Sequence, residues 1–143
     1  MSSMSSNRSR LPYEIEITIQ PEDIDRLGHV NNVVYLRWVQ DAAVAHWNAL
    51  ASESEKRALL WVVARHEIDY RRPALPEDTI VARTWVGGVT RRGFERHTEL
   101  LRKRDGKILA TALTTWCPIH AETLKPIEVS DDIYAKFSTC DAR

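Results

Sequence analysis

The chain has 143 residues, enough for one ordinary domain with its own core but not for a second full-sized one. Its 20 basic and 20 acidic residues cancel, which excludes the broad attraction to nucleic acid or anionic membrane that a basic excess would give. Cys117 and Cys140 are too few for a disulfide framework and lack metal-ligand spacing, so both read as reduced thiols.

In chain order, residues 1–11 are rich in Ser and Arg with little to bury, and are expected to form a disordered leader. They contain no apolar core of a signal peptide, and no later stretch approaches the roughly 18 apolar residues needed to span a bilayer. A soluble, cytoplasmic protein is expected. "YEIEITIQ" then alternates Glu14, Glu16 and Thr18 against Tyr13, Ile15, Ile17 and Ile19, the period-two pattern of a strand with one wet face.

Over residues 33–50 apolar side chains spread around much of a helical wheel with few charges, which predicts a largely buried helix. Asn31 or Asn32 can cap it, and "ASESEKR" reads as the polar loop that ends it. Four strand-like runs follow: "LLWVVARHEIDYRR", "DTIVARTWVGGV", "FERHTELLRKR" and "KILATALTTWCPI". Their connections read as hairpins, carrying Pro73 and Pro76, then Gly87 and Gly88, then Asp105-Gly106. A short helix is expected at residues 131–137 and a flexible tail at 138–143. The fold class is therefore α+β, with one long helix against one face of a curved antiparallel sheet of about five strands and a single domain over residues 12–137. Exposed sheet edge would remain, and a second copy could satisfy it, so a homodimer or homotetramer is expected.

"DIDRLGHVNN", residues 23–32, concentrates polar groups directly ahead of the long helix. Asp23, Asp25 and Gly28 fall on positions one, three and six of a calcium loop, but Leu27 and Val34 occupy positions five and twelve, where oxygen ligands are required. A transition-metal site from Asp25 and His29 with His46 or His66 has no diagnostic spacing, and no metal is assigned. Turn formation and capping account for Gly28 and one asparagine. A chemical role accounts for more. A helix N-terminus offers unpaired N–H groups and the positive end of a dipole, which stabilise an oxyanion on a carbonyl. A carboxylate beside it could attack that carbonyl or activate water, a minimal acyl-transfer site.

The run "DIDRLGHVNNVVYLRW", Asp23 to Trp38, resembles the D-x-D-x-x-G-H-V-N-N-x-x-Y signature of hotdog-fold acyl-CoA thioesterases, in particular the 4-hydroxybenzoyl-CoA thioesterase-like family. "EIDYRRPALPEDTIVARTWV", Glu67 to Val86, resembles the family's next strand pair, and the likeness spans roughly residues 12–137. It implies a hotdog fold and hydrolysis of an acyl-CoA or acyl carrier protein thioester. It implies Asp25 as the catalytic carboxylate, nucleophile or general base, and the N–H near Asn32 as oxyanion donor. His29 matches the histidine of the plant acyl-carrier thioesterases, a position that holds an apolar residue in the benzoyl-type branch, so water orientation, help to Asp25 and carbonyl binding all stay open for it. Arg91, Arg92 and Lys125 fall where the benzoyl-type enzymes carry basic residues and are candidates for the nucleotide phosphates of coenzyme A. Coenzyme A enters as part of the substrate, with no separate cofactor. The alternatives are a non-catalytic acyl-CoA binding protein of the same fold, and a hotdog dehydratase or hydratase using His46. Trp38, Trp47, Trp61 and Trp85 are candidates either for an acyl tunnel or for plain core.

Overall fold

Alternating polarity sets the first element of the computed structural model, which describes residues 12–90 and 93–137. β1 (Tyr13–Thr18) exposes Glu14 and Glu16 and turns Ile15 and Ile17 inward. The expected leader, Arg91, Arg92, Cys140 and the expected tail lie outside the described residues. A 3-10 turn at Pro21–Asp23 leads into the polar loop, and α1 (Asn32–Leu50) follows. Asn31 caps α1 by accepting the Val33 N–H at 3.0 Å. Val34, Tyr35, Trp38, Val39, Ala42, Ala43 and His46 repeat at helical spacing and form its buried face.

"ASESEKR" is not wholly loop. α2 (Glu53–Ala58) forms within it, because the Ser52 hydroxyl accepts the Glu55 N–H at 3.1 Å while the Glu55 carboxylate accepts the Ser52 N–H at 2.8 Å. That reciprocal capping box satisfies two orphan donors in a six-residue helix.

β2 (Leu59–Tyr70), β3 (Thr79–Thr90), β4 (Gly93–Arg102) and β5 (Ile108–His120) complete one antiparallel sheet in the order β1-β3-β4-β5-β2, and α3 (Asp131–Phe137) closes the chain. This is the expected hotdog arrangement, with two corrections to its connections. β2 pairs with β5, from Leu59↔His120 to Tyr70↔Ala110, and β3 pairs with β1 and β4. The segment holding Pro73 and Pro76 is therefore a crossover between opposite parts of the sheet. Gly87 and Gly88 lie inside β3 at a register shift between Val86 and Gly88. A Cβ on Gly87 would sit 2.8 Å from the His97 ring, so glycine here accommodates a bulge and a close side chain instead of a turn.

Trp38, Val39 and Ala42 of α1 pack on Ile80, Leu100 and Leu109 of the sheet as the main core, with Ile15 and Ile17 at its margin. A second cluster surrounds Phe94 and Phe137 near the C-terminal end of α1, with Trp47 and Trp61 partly buried against it. The two ends of α1 thus have different surroundings: a polar loop at its start and an aromatic cluster at its finish.

Candidate active site

The site begins with a glycine. Gly28 has φ +79°, a conformation costly for residues with a Cβ, and it folds residues 24–30 into a tight loop closed by an Ile24↔Val30 bridge. The Asp25 N–H donates to the His29 carbonyl at 2.8 Å and the Gly28 N–H to the Asp25 carbonyl at 3.0 Å. Asp25 and His29 are therefore paired across the loop. Asp25 Oδ1 accepts the N–H groups of Leu27 at 2.9 Å and His29 at 3.4 Å, which fixes the carboxylate plane. Its other oxygen accepts no hydrogen bond among the described residues, and neither does the His29 imidazole take part in one.

Three bonds seat this loop on the rest of the protein. Val30 N–H donates to Ala74 O at 3.0 Å, Asn31 N–H to Asp23 O at 2.9 Å, and the Tyr70 hydroxyl to Asn32 O at 3.1 Å. Tyr35, buried under the first turn of α1, accepts the Ala74 N–H at 2.8 Å and donates to Arg72 O at 3.4 Å. Burial pushes both phenols above their ordinary pKa, so they remain neutral donors.

The first turn of α1 leaves one backbone donor open. Asn31 takes the Val33 N–H on its side chain and the Val34 N–H, at 2.9 Å, on its carbonyl. The Asn32 N–H has no acceptor among the described residues. It stands at the positive end of a 19-residue helix. Asp25, His29, Asn32 and Tyr70 line one open cleft of about 420 Å³, together with Arg71 and Arg72.

The structure thus brings Asp25, His29 and Asn32 together and leaves the predicted phosphate ligands elsewhere or outside view. Lys125 follows β5, its carbonyl accepting the His120 N–H at 2.9 Å, and His120 pairs with Leu59. The cleft adjoins Tyr70 at the other end of β2, roughly 35 Å along the strand. Arg91 and Arg92 lie outside the described residues. The basic residues that do reach the cleft, Arg71 and Arg72, were missed; the paired arginines before Pro73 in "DYRRP" were the available signal. Arg72 is partly engaged, donating to Ile108 O at 3.0 Å.

His46 and His66 are remote from this loop. His46 is buried against Arg96, Tyr13 and Phe137, and His66 Nδ1 lies 2.9 Å from the Thr114 hydroxyl. Among the described residues no three His, Cys, Asp or Glu side chains converge as a metal site. Trp38 is core, Trp85 stacks on His97, and Trp47 and Trp61 line a separate cavity.

Comparison with known proteins decides the kinship. Residues 19–137 match the thioesterase-like superfamily. The chain belongs to that superfamily. It is 30% identical over 119 residues to the chloroplast acyl-acyl-carrier-protein hydrolase FATB3 of Cuphea viscosissima, covering 77% of this chain but only 28% of that protein. The chain spans less than a third of the length of the plant relatives it matches. The long-chain acyl-CoA thioesterase FadM of Escherichia coli strain K12 is 23% identical over 128 residues, covering 86% of this chain and 95% of the relative. Among solved structures, a thioesterase of Thermus thermophilus complexed with coenzyme A and Zn superposes with TM-score 0.74 at 25% identity, covering 87% of this chain and 90% of the other. The superfamily thus shares the hotdog fold described above, and no helix among the described residues is long and apolar enough to cross a membrane.

Proposed function

We propose that this protein hydrolyses an acyl thioester of coenzyme A or acyl carrier protein to the free acid and thiol. One observation carries the reading: a fixed carboxylate with an unpaired oxygen, Asp25, and an unpaired backbone donor, the Asn32 N–H, line one cleft at the positive end of α1. The thioester carbonyl lies over the first turn, its oxygen receiving the Asn32 N–H as negative charge develops. Asp25 then either attacks the carbonyl carbon, expelling the thiolate and leaving a mixed anhydride for water to open, or removes a proton from an attacking water. Both routes require the ionised carboxylate. His29, across the loop, orients the water. The names of the relatives, an acyl-carrier-protein hydrolase and an acyl-CoA thioesterase, support this substrate class.

Within one copy Arg71 is the cation best placed for the phosphates of coenzyme A, since it lines the cleft and its side chain has no partner among the described residues. Arg91 and Arg92 are proposed for the same phosphates on sequence grounds alone. Lys125 can serve the cleft only across an interface between copies.

Thiol release from a panel of acyl-CoAs and acyl carrier protein esters tests the reading, with Asp25→Asn beside the unmodified protein. Asparagine keeps an oxygen to accept the Leu27 and His29 N–H groups, so the loop stays folded while turnover falls about a hundredfold or more. Unchanged turnover removes Asp25 from the chemistry. Acyl-CoA binding by the unmodified protein without thiol release makes it a binding protein.

A further inference from the structure

Behind the C-terminal half of α1 lies a second cavity of about 290 Å³, walled by Trp47, Trp61, Phe94, Trp116 and Phe137 and reached by Arg96. It is a built aromatic box. Trp61 stacks on Phe94 at 5.1 Å, Trp47 on Phe137 at 5.5 Å, and Trp47 meets Trp61 edge-on at 5.4 Å. Asn32 and Trp47 are fifteen residues apart on one helix, roughly 22 Å along its axis, so within one copy this cavity is distinct from the Asp25 cleft.

Arg96 is the anomaly in the box. It is only 4% exposed, yet no carboxylate lies within ion-pair distance of it among the described residues. One nitrogen, Nη1, meets His46 Nδ1 at 2.9 Å and the Thr84 hydroxyl at 3.1 Å. Its Nε and Nη2 donate to nothing among the described residues. His46 supplies no compensating charge: burial, and then the Arg96 charge, bring its pKa down to about 3, so it is a neutral acceptor at physiological pH. Burial lowers the guanidinium only to about 10, so Arg96 stays cationic. An unpaired buried cation is costly, and native interiors pair such charges. The indole N–H groups of Trp61 and Trp116, buried in the same wall, also lack acceptors among the described residues.

We propose that this cavity binds a small apolar carboxylate, with the acid on the free nitrogens of Arg96 and the hydrocarbon or aromatic body between Trp47, Phe94 and Phe137. A planar guanidinium with two unused donors matches one carboxylate in a forked geometry. The aromatic walls exclude a strongly hydrated dianion, and the volume is at the lower end of ligand pockets, about 300–1,000 Å³, which sets a short-chain or single-ring acid as the ligand class. Cations are repelled by Arg96, which no carboxylate neutralises among the described residues. The site holds whether or not the Asp25 cleft is hydrolytic.

Titration of the whole protein with phenylacetate and with phenylacetamide, followed by tryptophan fluorescence and calorimetry and with no thioester present, tests this. The acid should bind saturably and about tenfold or more tighter than the amide, the size expected for a hydrogen-bonded charge. Arg96→Gln should bring the acid to the level of the amide and leave the amide unchanged. Equal affinity of acid and amide for the unmodified protein, or no saturation by the acid, overturns the proposal without need of a variant. Undiminished acid binding by Arg96→Gln also overturns it, by placing the acid elsewhere.

Discussion

Two acids two residues apart, Asp23 and Asp25, show how one motif divides structure from chemistry. Asp23 is 1% exposed and spends both oxygens: one accepts the Gln20 N–H at 2.9 Å, the other meets Arg37 at 3.0 Å. Asp25 is half-buried, spends one oxygen on its own loop and keeps the other free. Asp23→Ala should therefore lower stability by about 1–2 kcal/mol in urea unfolding, since two hydrogen bonds to a charged group go while Arg37 remains hydrated. Asp25→Asn should leave stability nearly unchanged. Equal destabilisation by the two would mean that Asp25 is only a turn residue. The acids, Gly28, His29 and the asparagine cap were legible because the whole loop is local in sequence. Arg71 and Arg72 were less so, since their place in the cleft depends on a bond from Tyr70, 38 positions beyond its partner Asn32.

At the scale of elements, periodicity carried most of the information. Alternation marked β1, and helical spacing marked α1 to within a residue of its start. What it did not carry was pairing: that β2 joins β5 follows from tertiary packing, and the glycines inside β3 mimic a turn signal. The contact of α1 with the sheet through His46 and Arg96, 50 positions apart, was equally invisible. It has a measurable consequence. Burial, and then the Arg96 charge, bring His46 down to about 3 in the fold, against its ordinary 6.5 in the unfolded chain. Between those values only the unfolded chain takes the proton, so this stability is complete above about pH 6.5 and declines as pH falls toward 3, by about 1.4 kcal/mol per unit. His66, lowered by burial, adds in the same direction. Urea unfolding at pH 7.5 and 5.5 should show the decline, and His46→Gln, which keeps an acceptor for Arg96, should reduce it. An unaltered slope in that variant would mean that His46 is protonated in the fold.

For the whole molecule the decisive feature is the sheet's edge. β2 runs Leu59–Tyr70, is hydrogen-bonded on one side to β5, and occupies one end of the strand order, so its other side offers unpaired backbone groups. Leu60 and Val62 on this strand are 46% and 44% exposed, and neither proline nor lysine interrupts it. The Leu59–Val63 half of this edge is apolar, while Arg65, Glu67 and Asp69 charge the other half, and the unpaired apolar half is a template for another strand. The proposed partner is a second copy, with β2 meeting β2 antiparallel about a twofold axis. That pairing would also bring the Leu59 end of one copy, with its aromatic cavity and Lys125, toward the Tyr70 end of the other, where the Asp25 cleft opens. Sedimentation of the unmodified protein should accordingly give an even multiple of 16.4 kDa. The double substitution Leu60→Lys and Val62→Lys, which places like charges along the edge, should shift it to a single copy and reduce thiol release together. A monomeric unmodified protein, or a charged-edge variant that dissociates with full turnover, would leave each copy's cleft complete by itself.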